Sequence, residues 1–285
     1  MIVRATAAVC YHPGRMWKSR PVSKLVDDAV IGFGCVFSPI RILQLSRPGA
    51  PPTIAALEAE QAARPPEIRW PERLERRPGR IRMRMPVMGF DTFLDFHPAR
   101  DPGADTLFIY HHGLREFPHD GSAARILGRG RLAERCDWVA IRGAHHDSRA
   151  SVDARLTCSQ ESFARGLLSS VATVRAVARR LRGRYRHVVA GGMSMGGVIA
   201  LIEAATGSAV DLTVPLMAGP DLEAVLLRSA FTRIVCPRYR ARPASERFSS
   251  ELDLAERLAR TEGPPVRAVL SIDDQLFPFA DQRAA

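Results

Sequence analysis

A serine flanked by glycines carries the clearest chemistry in this 285-residue sequence. The apolar run from His187 to Ala190 precedes Ser194, and the apolar run from Val198 to Ile202 follows it. This pattern predicts a strand, a sharp turn and a helix, with the serine hydroxyl presented at the turn. Such a turn needs small residues two positions before and after the serine, because larger side chains would collide. Gly192 and Gly196 meet that requirement.

Two further polar segments follow apolar runs of the strand type. His111-His112-Gly113-Leu114 comes directly after Thr106 to Tyr110, and Asp273-Asp274 comes directly after Val266 to Ile272. The functional loops of a parallel sheet lie at the carboxyl ends of its strands, so both segments are expected at the same edge as the serine. Simpler accounts remain open, because the histidines could cap a strand or pack in the core, and an aspartate here could be an ordinary helix cap.

The Gly192-Met193-Ser194-Met195-Gly196 segment, with the order of elements from about residue 80 to 278, resembles the α/β hydrolases. The resemblance implies that Ser194 is a nucleophile for acyl transfer and that no cofactor is needed. His112-Gly113-Leu114 is similar to the family's oxyanion segment, which implies that the backbone N–H groups of Leu114 and Met195 bind the developing negative charge.

The same resemblance implies an acidic residue after a late strand, to orient a catalytic histidine. Asp274 fits that position best, Asp273 is the reserve, and Asp221 is a weaker substitute. The family's histidine comes after the acidic residue, but none of the seven residues after Pro278 is a histidine. Three accounts remain open: a truncated hydrolase, a displaced histidine, or a scaffold that keeps the pocket without efficient turnover.

His146 is the predicted replacement base, because His145-His146-Asp147 follows the strand-like run from Trp138 to Ile141. The alternative is that His146 has a structural or substrate-gating role. A metal site would need several of the clustered histidines, and no spacing typical of zinc hydrolases is present, so no metal is predicted. The histidines considered for it are His111, His112, His119, His145 and His146.

Alternating strand and helix patterns predict an α/β fold with a mostly parallel central sheet flanked by helices. Residues 81 to 85 alternate between apolar residues and arginine and predict a half-buried strand, with 90 to 96 as its hairpin partner. A helix is predicted across the apolar stripe from Phe163 to Leu181. We expect an N-terminal extension over 1–78 and a hydrolase-like domain over 79–285, with 217–262 forming a lid.

Composition narrows the class of protein further. The net charge of +11 comes almost wholly from arginine, which is interleaved with acidic residues and lacks aromatic platforms, so no nucleic-acid partner is expected. Five cysteines without a paired spacing favour a reducing compartment, and we expect a cytoplasmic protein. The longest apolar stretch, 29–37, is far shorter than the roughly 20 residues of a spanning helix, so no membrane span is predicted.

These observations predict a serine hydrolase that acts on an ester or related acyl bond of a small molecule. The alternative from another class is a non-catalytic binding or interaction protein with the same fold, which the absent terminal histidine motivates. A protein that binds nucleic acid or lipid through its basic surface is the third hypothesis. Oligomeric state does not follow from the sequence.

Overall fold

The computed structural model describes residues 42–73, 76–207 and 209–270, together with residues 274, 276, 277 and 282. Seven strands form one sheet in the order β1-β2-β3-β5-β4-β6-β7. The strands are β1 (Glu67–Ile68), β2 (Gly79–Met85), β3 (Phe90–His97), β4 (Thr106–His111), β5 (Cys136–Ile141), β6 (His187–Met193) and β7 (Leu212–Leu216).

The sheet is parallel where the polar segments lie and antiparallel at its other edge. Strands β5, β4, β6 and β7 pair in parallel, as predicted, whereas β1, β2 and β3 pair antiparallel and β3 pairs antiparallel with β5. The predicted hairpin is confirmed by the register of β2 and β3, in which Met85 lies opposite Phe90. The carboxyl ends of β4, β5 and β6 therefore lie at a common edge.

Helices cover the sheet, and two of them position the candidate site. The helices are α1 (Ile54–Ala63), α2 (Gly121–Ile126), α3 (Gly130–Arg135), α4 (Arg149–Ser151), α5 (Gln160–Leu181), α6 (Met195–Ala205), α7 (Leu222–Arg228), α8 (Pro237–Arg240), α9 (Phe248–Leu252) and α10 (Leu254–Arg260). None of the helices in the described ranges is both long and apolar enough to cross a membrane.

The long helix α5 confirms the predicted stripe. Ser159 caps its first turn by accepting a hydrogen bond from the Ser162 N–H, and Leu167, Val171 and Val174 are buried. Helix α6 follows Ser194 and is buried along its whole length; its residues are apolar or small except Glu203, which pairs with Arg175. These two helices pack against each other over the sheet, so the residue at the start of α6 is held by the core.

Residues 42–73, which belong to the predicted extension, share the core of the rest of the chain. Ile42, Ile54 and Leu57 are buried in the same apolar cluster as β4 and α5. The Ile42 N–H donates to the Ile234 carbonyl at 2.9 Å, and the Cys236 N–H donates to the Ile42 carbonyl at 3.0 Å. This segment therefore packs beside the 217–262 region. Residues 1–41 of the predicted extension lie outside the described residues.

The structure corrects the expected burial of the predicted strand from Val266 to Ile272. Val266 and Val269 pair in parallel with Thr213 and Leu216 of β7, through four backbone hydrogen bonds, so the segment runs beside β7 as a strand does. Val269 is 38% exposed, so this segment is not the strand buried on both faces that its apolar run predicted. It lies at the edge of the sheet, where one neighbour is available instead of two. Ile272 lies outside the described residues.

Candidate functional site

Ser194 lies alone between the last residue of β6 and the first residue of α6. Its backbone has φ 52° and ψ −112°, a conformation that residues with a side chain rarely adopt. Two hydrogen bonds hold this turn: the Ser194 N–H donates to the Leu216 carbonyl at 2.9 Å, and the Val198 N–H donates to the Ser194 carbonyl at 3.0 Å. The side chain remains partly exposed at the edge of the sheet.

The glycines on either side of Ser194 allow the turn to press against the end of β4. A Cβ atom on Gly192 would lie 2.1 Å from the His111 carbonyl oxygen, and one on Gly196 would lie 1.9 Å from the same atom. A Cβ on Gly192 would also come within 2.9 Å of the Gly196 Cα, which is the collision predicted from the sequence. Only glycine fits at these two positions without moving the backbone.

The loop after β4 lies directly beside Ser194. A Cβ atom on Gly113 would be 3.7 Å from the Ser194 Cβ and 3.4 Å from the Met193 carbonyl oxygen. The Gly113 N–H donates to Glu116 Oε2 at 2.9 Å, and the Gly113 carbonyl accepts from the Glu116 N–H at 3.2 Å. The structure therefore brings Gly113 and Ser194 together. The two hydrogen bonds fix the peptide group before Gly113 and the peptide group after it.

His112 is a structural support for this loop. Its Nε2 accepts a hydrogen bond from the Gly143 N–H at 2.9 Å, so Nδ1 carries the hydrogen and donates to the Gly113 carbonyl at 2.8 Å. Burial, with the neighbouring histidines His146 and His111, holds the His112 pKa well below its usual value. His112 is therefore neutral near pH 7 and joins the loops after β4 and β5.

Two backbone N–H groups next to Ser194 have no partner within the described residues. They belong to Leu114, in the loop after β4, and to Met195, the first residue of α6. The first N–H groups of a helix have no acceptor within the helix, so Met195 would need one from outside. A trans peptide points its N–H away from its C=O, so the hydrogen bonds on the Gly113 carbonyl also set the direction of the Leu114 N–H.

An apolar cavity of about 50 Å³ opens at Ser194. Ser194 is the one polar residue in its wall among those described. Helix α7, from the 217–262 region, supplies part of the wall. The lining residues are Leu114, Phe163, Leu167, Ser194, Met195, Val198, Leu222, Val225, Leu226, Phe231, Leu276 and Phe277.

The structure does not bring His146 to the serine. No hydrogen bond joins an imidazole to the Ser194 hydroxyl within the described residues. Strand β4 lies between the strands that lead to His146 and Ser194, and two strand spacings amount to about 10 Å. The ring of His146 packs instead 4.1 Å from the ring of His112.

His146 nevertheless has the protonation state that a base requires. Its Nδ1 lies 3.1 Å from the Ala144 carbonyl and donates to it, and its Nε2 is buried without a partner among the described residues. Burial lowers its pKa to about 4. It lines a separate small space of about 10 Å³, which shares the walls Phe163, Leu167 and Met195 with the Ser194 cavity.

The other clustered histidines are also held in the fold. His111 Nε2 accepts from the Ser170 hydroxyl at 3.0 Å, His119 lies 3.3 Å from Asp95, and His145 packs on Phe90. No cluster of three or more metal-binding side chains occurs in the part of the chain that the structure describes.

The acidic residues predicted for the site have local partners. Asp274 Oδ1 accepts hydrogen bonds from the N–H groups of Leu276 at 2.8 Å and Phe277 at 2.9 Å, the cap-like arrangement left open above. Because Leu276 and Phe277 line the cavity, Asp274 shapes its wall. Asp221 caps α7 through the Ala224 N–H at 2.7 Å and pairs with Arg228. Asp273 lies outside the described residues.

Glu116 is a residue of the site that the sequence analysis missed. Its carboxylate accepts from the N–H groups of Gly113 at 2.9 Å and Ser122 at 2.7 Å, and so closes the loop after β4 on itself. A glutamate three residues after the glycine of a tight loop was the available signal, since such loops leave N–H groups that need an acceptor.

Comparison with known proteins identifies the fold. No family model matches the sequence, and no curated protein matches it. A lipase/esterase from Lactobacillus plantarum superposes with a TM-score of 0.50 at 13% identity, over 72% of this chain and 83% of that one. The acetyl xylan esterase 1 of Thermoanaerobacterium gives a TM-score of 0.48 at 16% identity, over 75% of this chain and 74% of that one.

The acylaminoacyl peptidase of Pyrococcus horikoshii gives a TM-score of 0.46 at 12% identity. The match covers 72% of this chain but only 33% of the peptidase, so the chain corresponds to about a third of that protein. The structure has the α/β-hydrolase fold, with a sheet that is parallel around the Ser194 turn and antiparallel at the far edge.

Proposed function

We propose that this protein hydrolyses an ester or related acyl bond of a small molecule, with Ser194 as the nucleophile. One observation carries the proposal: a partly exposed serine in a strained turn lies at an apolar cavity beside two N–H groups that have no acceptor among the described residues. Serine hydroxyls that attack carbonyl groups form an acyl intermediate, which water then releases. The reaction needs no cofactor.

The N–H groups of Leu114 and Met195 are proposed to bind the carbonyl oxygen as it becomes negative. Preorganised donors of this kind contribute roughly 3 kcal/mol each to transition-state stabilisation. His112 and Gly113 serve this step indirectly, because the hydrogen bond at 2.8 Å between them fixes the peptide that carries the Leu114 N–H. The start of α6 adds the partial positive charge of a helix N-terminus at Met195.

The cavity supports a short apolar acyl group as the substrate class. Its volume of about 50 Å³ is several times the roughly 10 to 15 Å³ of cavity space that a single water molecule needs. An acyl chain of two or three carbon atoms fits that space, whereas a long chain would have to displace side chains of the wall. We expect kcat/KM for p-nitrophenyl esters to fall at least about tenfold from acetate to octanoate.

Turnover also requires a general base that takes the proton of the Ser194 hydroxyl. A serine hydroxyl is a weak nucleophile near neutral pH without a base. His146 has an unpartnered Nε2, but β4 separates its loop from the Ser194 turn. Asp274 is proposed as the acidic partner of a base, although the contacts described above give it a capping role.

A fluorophosphonate probe tests the proposal directly, because it labels only a serine whose hydroxyl is activated. The full chain should be labelled, with the modification mapped to Ser194 by peptide mass spectrometry. Ser194→Ala should abolish both the labelling and the hydrolysis of p-nitrophenyl acetate. Ser162→Ala is the matched control: Ser162 lies on α5 and its hydroxyl donates to the Arg155 carbonyl, so the variant should be labelled like the wild type.

A second candidate function is favoured by the absence of a hydrogen bond between the Ser194 hydroxyl and any described histidine. In that case the fold would bind a small acyl compound without turning it over. The wild-type chain would then bind a short ester in a calorimetric titration, remain unlabelled by the fluorophosphonate, and bind equally well after Ser194→Ala. That set of results would replace the hydrolase proposal.

A further inference from the structure

A second cavity, of about 430 Å³, lies far from Ser194. It is formed between the segment after β1 and the C-terminal end of α5, and its wall includes Trp70, Glu72, Arg73, Arg180 and Arg184. The volume falls within the range of about 300 to 1,000 Å³ that is usual for small-molecule sites. From Phe163, which lines the Ser194 cavity, to Arg180 the helix extends about 25 Å.

The wall of this cavity carries more positive than negative charge. Three arginines face one glutamate, and neither Arg73 nor Arg180 forms an ion pair with a carboxylate among the described residues. Other arginines of the same helix region are paired: Arg175 contacts Glu58 and Glu203. The guanidinium groups of Arg73 and Arg180, which lack a carboxylate partner among the described residues, favour an anionic ligand in this cavity.

Trp70 gives the cavity an aromatic surface. The guanidinium carbon of Arg180 lies 6.0 Å from the centre of the Trp70 ring, within the range of a cation–π contact. Trp70 is half-buried and packs against the main core, so its ring is held in place. A fixed indole ring next to guanidinium groups can stack against a flat ring while the arginines bind charge.

The position of Arg180 has a simpler account, which does not cover the whole site. Arg179 and Arg180 lie in the last turn of α5, where positive charge complements the helix dipole. That effect does not explain Arg73 and Trp70, which come from a different segment and complete the same cavity. The two segments together make a concave site.

We propose that this cavity binds a small organic phosphate that carries a flat ring, such as a nucleoside monophosphate or diphosphate. The arginines would hold the phosphate through paired N–H donors, for which guanidinium groups are geometrically suited. Trp70 would stack on the ring. This site is separate from Ser194, and ligand binding here does not depend on the proposed hydrolase function.

Calorimetric titration of the full chain with AMP and ADP at low ionic strength tests this assignment. Binding should be measurable, and Arg180→Gln should weaken it by about tenfold or more, the loss expected for one charge-assisted contact. Arg179→Gln is the matched control, because it removes the same charge from the neighbouring residue, which does not line the cavity. It should weaken binding less than about twofold.

Trp70→Leu separates ring stacking from charge. It should weaken AMP binding by about fivefold or more, while the weaker binding of inorganic phosphate stays unchanged. Unchanged melting temperatures of the Arg180→Gln and Trp70→Leu variants would show that the fold is intact. No binding of AMP or ADP, or equal effects of Arg179→Gln and Arg180→Gln, would overturn the proposal. A single-stranded oligonucleotide that bound tenfold tighter, with the same variant pattern, would replace the small ligand by nucleic acid.

Discussion

The Ser194 turn and the His145–His146 loop both follow buried strands of the same parallel sheet, but they face different surroundings. Ser194 opens on the larger apolar cavity and is backed by close contacts between glycines and β4. His146 points into a space of about 10 Å³ and packs on His112. A position at the carboxyl end of a strand places a residue at the correct edge, whereas the order of strands decides which residues meet there.

Gly196→Ala should have the largest effect, because it disrupts the Ser194 turn. The added Cβ would lie 1.9 Å from the His111 carbonyl oxygen, and that atom is backbone and has no room to move aside. We expect a loss of unfolding free energy of ~3 kcal/mol, at the upper end for overpacking, and at least a hundredfold loss of esterase rate. Urea unfolding and p-nitrophenyl acetate hydrolysis measure the two effects.

Gly183→Ala is the control for that substitution, since a Cβ there would meet no atom within 4 Å. It should change the stability by less than about 1 kcal/mol. If Gly196→Ala keeps wild-type stability and rate, the turn is not pressed against β4 as described, and the steric argument for the two glycines is wrong.

The buried histidines of the loops after β4 and β5 predict a second effect, a dependence of the unfolding free energy on pH. Burial lowers the pKa of His111 to about 3 and that of His146 to about 4, and it holds the His112 pKa well below normal. The unfolded chain therefore binds more protons than the folded chain below about pH 6.5, the ordinary histidine pKa. The contribution of these groups is fully present above that pH and is lost as the pH falls toward 4.

Each such histidine removes up to about 1.4 kcal/mol per pH unit within that window. Urea unfolding at pH 7.5, 6.5, 5.5 and 4.5 should therefore show a drop of several kcal/mol, most of it below pH 6.5. His187 is exposed at the start of β6, so His187→Gln should keep the same pH profile. A stability that is flat between pH 6.5 and 4.5 would mean that the buried imidazoles are not held neutral.

Glu116→Gln should have a smaller and more local effect. The carboxylate accepts from the Gly113 and Ser122 N–H groups, and glutamine keeps only one acceptor oxygen for the two donors. We expect kcat for p-nitrophenyl acetate to fall about tenfold, because the Leu114 N–H would be held less firmly. The exposed Glu134, on α3, provides the control Glu134→Gln, which should leave kcat unchanged. Equal rates for both variants would contradict the role of Glu116.

Local patterns were enough to predict strands β2 to β7, the stripe of α5 and the turn at Ser194. Each of these depends on residues close together in the sequence: alternating apolar residues, a 3.6-residue period, or glycines two positions from a serine. The burial of the edge segment after Pro265 was overestimated, because an apolar run does not reveal how many neighbouring strands a strand will have.

Features that depend on distant residues could not be predicted in this way. The cavity wall combines Phe163 of α5, Leu222 of α7 and Phe277 near the C-terminus, which no local period relates. The buried position of Ile42 depends on its pairing with the 234–236 segment. The distance between His146 and Ser194 depends on the insertion of β4 between β5 and β6, a property of sheet order and not of either loop.

His146→Ala gives the smallest expected effect and the sharpest test of the comparison. A histidine that takes the serine proton contributes about 10² to 10⁴ in rate. No hydrogen bond joins His146 to the Ser194 hydroxyl, and β4 lies between their two loops, so we expect the hydrolysis rate to fall less than about threefold. The measurement is kcat/KM for p-nitrophenyl acetate beside the melting temperature, because loss of the packing on His112 also lowers stability. A hundredfold loss of rate at unchanged melting temperature would mean that the loop after β5 reaches Ser194 in the working protein. His146 would then be the general base, and the contrast between the two loops would fail.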